Sequence, residues 1–321
     1  MAEPSCVDAV MLATARRVLC VGIAVEDHVY RLAHFPQPGS KTRAQEYVCV
    51  GGGCAANAAV AVARLGGVAS LAAPLGDGDG ADLVGDCIVA GLVRERVDCS
   101  PCARVPGTRS PISAIIVDSS GERLIVNDRD ERLSDARVAE PDALVATCDA
   151  ILADNRFANF VLPVCGAGRR RGLPVILDGD RPTVATDELL TACTHIVFAA
   201  DGLRATAATD DLEAALREIA RRTNSFLAVT DGERGVQWLE GNILRHLPAF
   251  AVDVVDTLGA GDVFHGAFAL ALAEGRDETG AMLFASAAAA VKCTRFGGIA
   301  GAPGREEIDQ LLADRVPAAV S

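Results

Sequence analysis

The segment from Asp256 to Asp262 has the residue types and spacing of a site that could transfer a phosphoryl group. It reads Asp-Thr-Leu-Gly-Ala-Gly-Asp and runs into a small-residue apolar stretch typical of a helix. The amides of Gly259, Ala260 and Gly261 could turn toward one anion, because glycine tolerates sharp turns and a helix N-terminus carries partial positive charge. Asp262 could orient a hydroxyl and accept its proton as the phosphoryl group arrives. A glycine-rich turn with Asp262 as helix N-cap is the non-catalytic alternative.

A second glycine-rich segment, Gly51–Gly53, precedes another helix of small residues, which contains Asn57. Glycines let a ligand approach the backbone closely, and Asn57 can donate and accept hydrogen bonds toward a polyol. A tight strand-to-helix turn with a locally bonded Asn57 explains the segment equally well. The spacing is not GxGxxG, and no acidic partner follows on a next strand, so a dinucleotide site is disfavoured.

The elements that must position these residues alternate along the chain. Apolar runs predict strands over 18–24, 69–74, 150–153, 174–177, 195–199 and 226–230, and alanine-rich stretches predict helices over 55–65, 82–95, 162–171, 212–222, 263–274 and 278–292. This order predicts an α/β fold, with a doubly wound, mostly parallel sheet and helices on both faces. Residues 1–17 are expected to be a tail, and residues 18–321 a single α/β domain.

Two stretches of polar alternation, about 28–50 and 112–127, interrupt this rhythm. The second has the pattern of a hairpin with a Ser-Ser-Gly turn. Strand segments inserted at two points of a doubly wound domain predict a small β-sheet over one edge, and a lid is the natural use for it.

Composition excludes several classes of function. The chain has 321 residues, 50% hydrophobic residues and a net charge of −13, so it is globular and lacks the basic face that nucleic-acid binding needs. No apolar run is long enough to span a bilayer, so no membrane partner is expected. Eleven scattered cysteines suit free thiols in a reducing cytoplasm better than a disulfide framework.

The order of the motifs resembles the ribokinase-like (PfkB) carbohydrate kinase family. The resemblance rests on the GGG…N segment near residue 51, Val-Thr-Asp-Gly-Glu-Arg-Gly at 229–235, and Asp-Thr-Leu-Gly-Ala-Gly-Asp at 256–262, and it extends over about residues 18–312. It implies a ribokinase-like α/β domain with a β-lid. It also implies ATP-dependent phosphorylation of a sugar hydroxyl.

The resemblance also implies roles for individual residues. Asp262 would be the catalytic base, and Gly259, Ala260 and Gly261 would form the anion hole. Substrate hydroxyls would be bound by Asp27, Gly52, Gly53 and Asn57, and the nucleotide would lie along Thr230, Gly232, Gly235, Ser286 and Ala289.

Metal requirements follow from the same resemblance. Mg²⁺ would bridge the ATP phosphates, mostly through water. Many relatives carry a magnesium-organising glutamate near the end of the fifth strand, where this chain reads Phe-Ala-Ala-Asp-Gly, so Asp201 would substitute one place on, or the role is lost. Whether a monovalent cation binds near Asp256 is left open by the sequence.

Three residues, Lys41, Asn127 and Arg156, predict which kind of sugar is bound. Lys41 is one of only two lysines among 30 basic residues, and the three side chains would supply two cations and an amide to an anionic tail. The set resembles the kinases of 6-deoxy-6-sulfofructose, where matching residues hold the sulfonate. Segments 177–180, 248–256, 264–266 and 292–298 share that likeness.

We therefore expect a 6-sulfo-ketose to be phosphorylated on its C1 hydroxyl. A ketose 6-phosphate, a neutral sugar of the fructose or ribose type, a nucleoside, and a non-catalytic binding role are the alternatives. Exposed lid edges in the family often pair between subunits, which implies a homodimer.

Overall fold

The core of the fold is an eight-stranded sheet, and the six predicted strands form its parallel part. The computed structural model describes residues 15–314 except 79, 120, 121 and 184–186; most of the predicted tail lies outside this range. The parallel strands are β1 (Arg17–Val21), β4 (Val68–Ala72), β9 (Ala150–Asp154), β10 (Val175–Gly179), β11 (His195–Ala199) and β12 (Phe226–Thr230), and the antiparallel edge is formed by β13 (Val236–Glu240) and β14 (Ile243–Leu247). Their order across the sheet is β14-β13-β12-β11-β10-β9-β1-β4.

Helices cover both faces of this sheet. They are α1 (Cys54–Arg64), α2 (Leu83–Arg94), α3 (Pro141–Leu144), α4 (Ala158–Arg170), α5 (Asp187–Ala192), α6 (Ala200–Ala207), α7 (Leu212–Ile219), α8 (Ala260–Ala273), α9 (Glu278–Cys293) and α10 (Arg305–Asp314). Short 3₁₀ turns lie at Glu131–Asp135, Gly232–Arg234 and Gly298–Gly301. Two buried apolar clusters result, one on each side of the sheet. The predicted α/β architecture is therefore confirmed.

A separate four-stranded sheet is built from the two inserted stretches. Its strands are β2 (Val25–Arg31), β3 (Glu46–Gly52), β7 (Ile112–Val117) and β8 (Arg123–Asp128), in the order β3-β2-β7-β8. β7 and β8 pair antiparallel, as the hairpin pattern predicted, and β2 pairs parallel with β7. β5 (Pro74–Gly76) and β6 (Ala103–Val105) form a third, two-stranded sheet.

Several boundaries differ from the predictions. The run predicted as one strand over 18–24 divides at Gly22, where the chain leaves β1 and enters the small sheet as β2. α4 begins four residues earlier than predicted and contains Pro163 in its second turn. The β13–β14 hairpin was not predicted. No helix among the described residues is long and apolar enough to cross a membrane.

Candidate active site

Two helices of small residues bring the two glycine-rich motifs together. α1 and α8 pack so closely that a Cβ on Gly266 would lie 2.6 Å from the carbonyl oxygen of Ala58. This approach places Asn57 of α1 beside Asp262 in the first turn of α8, and Asn57 Nδ2 donates to Asp262 Oδ2 at 2.6 Å. Residues 205 positions apart in sequence therefore share one site.

The environment of Asp262 suits a proton acceptor. Burial is the main cause that raises its pKa to about 6, and the nearby carboxylate of Asp180 adds to the rise. The hydrogen bond from Asn57 opposes the rise, because it favours the charged form. A base with a pKa close to neutral pH is ionised in the cell and can still take a proton from an alcohol.

The turn before α8 leaves room for an anion. Gly259 adopts the left-handed region with φ 78°, which favours glycine. At Gly261 no atom beyond the adjoining residues and the backbone of its own helix lies within 4 Å of the position that a Cβ would occupy. The Ala260 amide donates to the Thr257 carbonyl oxygen at 3.2 Å. The amides of Gly261 and Asp262 precede the first bond of α8, from Val263 to Gly259, and point outward with the positive end of the helix dipole. An incoming phosphate thus meets free space and donors.

Asp256 fixes the loops on either side of this turn. Its Oδ1 accepts from the amide of Leu258 at 2.8 Å, and its Oδ2 accepts from the amides of Gly297 and Gly298 at 3.0 and 3.1 Å. These bonds and a nearby ammonium hold its pKa below the usual range despite burial.

The ammonium beside Asp256 belongs to Lys292, which is fully buried. Its Nζ lies 3.3 Å from Asp256 Oδ2 and donates to the Asp256 carbonyl oxygen at 2.8 Å and to the Arg295 carbonyl oxygen at 3.4 Å. Burial lowers the pKa of Lys292, and the Asp256 carboxylate opposes that effect. The ammonium group of Lys292 therefore lies beside Asp256, near which the sequence had left open the binding of a monovalent cation.

Carboxylates gather at the carboxyl ends of β9 and β10. Asp154 is buried and accepts from the amides of Ile23 at 2.7 Å and Arg156 at 2.9 Å. Asp178 is buried, and its pKa lies well above the usual range because of burial and the nearby charges of Asp180 and Asp262. This edge is where open α/β sheets bind ligands.

The side chain of Arg156 lies among these carboxylates. Its Nη2 forms a short ion pair with Asp180 Oδ2 and lies 3.6 Å from Cys54 Sγ, the residue after Gly53. Its Nη1 is buried and has no hydrogen-bond partner among the described residues.

Two further arginines converge on Arg156. Arg129 donates to the Arg156 carbonyl oxygen at 3.5 Å and lies over the Phe157 ring at 5.2 Å. The pKa of Arg181 is lowered, first by burial and then by the positive charges of Arg156 and Arg129. Arg129, Arg156 and Arg181 therefore form a group of positive charge, which the ion pairs of Arg156 with Asp180 and of Arg129 with Glu131 partly offset.

The small sheet supplies a row of polar side chains. Asp27, Ser113 and Asn127 face one another on β2, β7 and β8. Asn127 Nδ2 donates to Ser113 Oγ at 2.7 Å, and Ser113 hydrogen-bonds to Asp27. Burial raises the pKa of Asp27. A Cβ on Gly52 would lie 2.0 Å from Asp27 Oδ2, so glycine is needed there.

Other predicted site residues lie apart from this group. Lys41 is exposed in the loop between β2 and β3, and within the described ranges no hydrogen bond or ion pair joins it to Asn127 or Arg156. The Asp201 carboxylate is 98% exposed and pairs with Arg204 at 3.0 Å.

The residues predicted to bind the nucleotide lie on β12, the following turn and α9. Thr230 ends β12, and its hydroxyl donates to the Phe198 carbonyl oxygen at 3.3 Å. Gly232 is open, whereas a Cβ on Gly235 would lie 2.2 Å from the Leu247 carbonyl oxygen, which gives that glycine a packing role. Ser286 and Ala289 lie three residues apart on the half-exposed stripe of α9.

His265 was not singled out for a role in the sequence, yet it braces the anion hole. Its Nδ1 lies 2.8 Å from the Gly261 carbonyl oxygen, and its Nε2 lies 3.1 Å from the Val197 carbonyl oxygen and 3.6 Å from Asp178. It therefore joins the first turn of α8 to β11. Five other residues of this site were also assigned no role from the sequence: Cys54, Ser113, Arg129, Asp180 and Arg181. One signal in the sequence could have found part of this group, namely the aspartates that directly follow the apolar runs predicted as strands.

Comparison with known proteins gives one consistent result. The family model described as pfkB family carbohydrate kinase matches residues 15–305. The ribokinase of Bacillus subtilis is 27% identical over 300 residues, which cover 93% of this chain and all of the relative. A solved structure from Agrobacterium tumefaciens, provisionally named a ribokinase, is 40% identical with a TM-score of 0.89 and covers 94% of this chain and 98% of its own. The ribokinase of Thermotoga maritima is 26% identical with a TM-score of 0.78, covering 93% of this chain and 99% of its own.

Proposed function

The chain belongs to the pfkB family of carbohydrate kinases and is an ATP-dependent sugar kinase, and we propose that its sugar is an anionic ketose phosphorylated at the C1 hydroxyl. The best candidate is 6-deoxy-6-sulfofructose, which would give its 1-phosphate. The observation that carries this proposal is the convergence of Arg129, Arg156 and Arg181, with a buried Nη1 of Arg156 that lacks a partner among the described residues. Asp180 and Glu131 neutralise part of this charge through their ion pairs with Arg156 and Arg129, and an anionic tail would take up the remainder.

Asp27, Gly52, Gly53 and Asn57 would bind the hydroxyls of the sugar. The polar row of Asp27, Ser113 and Asn127 would face the sugar from the small sheet, which acts as the lid. Lys41 is carried by the lid loop and would reach the anionic tail when the lid closes. Closure would exclude water, which otherwise competes for the phosphoryl group.

Asp262 would orient the C1 hydroxyl and accept its proton late in the transfer. The amides of the Gly259–Gly261 turn and the N-terminus of α8 would stabilise the charge on the migrating phosphoryl group. Asn57 would hold the Asp262 carboxylate in place and keep it ionised, because its hydrogen bond favours the charged form.

Asp201 would help to hold Mg²⁺, as the family resemblance implies. The exposed carboxylate of Asp201 is accessible to an ion that keeps most of its waters. The ion would supply positive charge to the ATP phosphates. Thr230, Gly232, Gly235, Ser286 and Ala289 would contact the rest of the nucleotide.

The cellular context and assembly are proposals of the same kind. The ten cysteines that the structure describes are free thiols, which supports a cytoplasmic protein. The outward face of the small sheet exposes apolar side chains, and this supports a homodimer through the lid; they are Tyr30, Tyr47, Leu124 and Val126.

A ribose kinase is the second candidate, because the Bacillus subtilis relative is named a ribokinase. The test is kcat/KM with Mg-ATP and a panel of 6-deoxy-6-sulfofructose, fructose 6-phosphate, fructose, ribose and adenosine. One charge-assisted hydrogen bond contributes about 1.5–3 kcal/mol, so we expect the sulfonated ketose to exceed fructose by at least about tenfold. Higher kcat/KM with ribose or adenosine than with either anionic ketose would overturn the proposal.

A further inference from the structure

A cluster of side chains that could bind a metal lies on the small sheet and includes none of the residues assigned to catalysis or substrate binding. Glu26 and His28 are on β2, and Cys49 is on β3, directly opposite His28. One ligand atom from each of the three lies within 4.8 Å of the other two. Glu26 Oε1 is 3.4 Å from His28 Nε2. Because strand side chains alternate between faces, these residues lie on the face opposite Asp27.

The histidine is already oriented for coordination through Nε2. Its Nδ1 lies 2.9 Å from the hydroxyl of Tyr47, and the two rings stack with centroids 6.1 Å apart and planes at 16°. A partner on the second ring nitrogen is the usual support of a metal-binding histidine, since it fixes the tautomer and the ring plane. The structure thus supplies three ligands and an outer partner for one of them.

A further thiol lies across a cavity from this group. Glu26, Cys49 and Cys87 of α2 line one cavity of about 400 Å³, which Gly52 and Asn57 of the candidate active site also line. Cys87 lies outside the group whose ligand atoms are all within 4.8 Å of one another, so three protein ligands remain and a water would take the fourth position. Binding of a metal to Cys49 would release the thiol proton.

We propose that Glu26, His28 and Cys49, with a water as fourth ligand, bind a thiophilic divalent cation of the Zn²⁺ class. Thiolate, imidazole and carboxylate are the donors of tetrahedral zinc sites, whereas Mg²⁺ prefers oxygen ligands alone. The bound ion would join β2 to β3. It would also restrain β2 on both sides of Asp27, the residue proposed to bind the sugar.

The test uses Co²⁺ as a spectroscopic probe, with the full-length protein in an oxygen-free buffer and a non-thiol reductant. We expect tetrahedral visible bands and a sulfur-to-cobalt charge-transfer band at one equivalent, both abolished in Cys49→Ser and His28→Gln. Cys148→Ser is the matched control, because its half-buried thiol lies elsewhere. Tyr47→Phe should weaken Zn²⁺ binding about 10–100-fold in competition with a chelator, as loss of an outer partner does.

A second group of side chains could also bind the cobalt probe, so the test must distinguish the two groups. Cys54, Asp178 and Asp262 also place ligand atoms within 4.8 Å of one another. Cys54→Ser must therefore keep the cobalt bands. Bands that are missing in the wild type, that persist in Cys49→Ser, or that vanish in Cys54→Ser would each overturn the proposal. None of these readouts depends on which sugar the kinase uses.

Discussion

Replacement of Lys292 by methionine tests whether its ammonium holds the anion hole in shape. Lys292 is fully buried, and its Nζ lies 3.3 Å from the carboxylate of Asp256. That carboxylate binds the amides of Leu258, Gly297 and Gly298. Lys292→Met keeps most of the side-chain volume but leaves Asp256 charged and without its counter-charge.

The expected loss of stability follows from the burial of this pair. Removing one partner of a buried ion pair costs about 3–5 kcal/mol. Asp256 keeps its backbone hydrogen bonds, so we expect the lower end, about 3 kcal/mol. At about 2–4 °C per kcal/mol for a domain of 150–250 residues, Tm should fall by about 6–12 °C, and this longer chain should be near the lower value. Displacement of the Gly259–Gly261 turn should lower kcat by up to about 10²-fold.

Thermal unfolding and steady-state kinetics measure the two effects. Lys41→Met is the matched control for stability, because Lys41 is the other lysine and is exposed. Adding Asp256→Asn to Lys292→Met should recover part of the lost stability, since no unpaired charge remains. Wild-type activity should be the same with potassium or tetramethylammonium as the only monovalent cation. A Tm for Lys292→Met within about 1 °C of the wild-type value would show that the buried Lys292–Asp256 pair does not stabilise the fold as proposed.

Three further predictions concern the active site. Because the pKa of Asp262 is raised to about 6 and the charged form is the base, kcat/KM should fall below about pH 6, and Asn57→Ala should move this limb to higher pH; a pH profile of both proteins checks the sign. Arg156→Ala should raise KM for an anionic ketose by about tenfold or more and leave KM for fructose nearly unchanged, whereas equal changes would remove the anionic-tail hypothesis. Asp201→Ala should raise the Mg²⁺ concentration for half-maximal activity by about tenfold, while Asp210→Ala, on the same surface, should not.

The sequence predicted the central elements well because their signals are local. The strands over 195–199 and 226–230 match β11 and β12 residue for residue, since each is a short, largely buried run that begins directly after a hydroxyl residue, Thr194 or Ser225. The β13–β14 hairpin was missed because its residues mix polar and apolar types without a clean alternation. The split at Gly22 was missed because the apolar run continues through it.

The site divides in the same way. Asp262 and Asn57 were predicted from motifs and do meet, at 2.6 Å. The convergence of Arg129, Arg156 and Arg181 could not be predicted, because only the fold brings together residues separated by 25 or more positions. The burial of Lys292 was hidden for the same reason, since its helix ends beside a loop that precedes it by 36 residues.

The most direct test of the account is the turnover of Asp262→Asn. Asparagine keeps the size of the side chain but cannot accept the proton of the sugar hydroxyl. We expect kcat to fall by about 10²–10⁴-fold while the affinity for ATP and the sugar changes little. Turnover close to that of the wild type, measured with the sugar that the panel selects, would contradict the assignment of Asp262 as the base and with it the proposed mechanism.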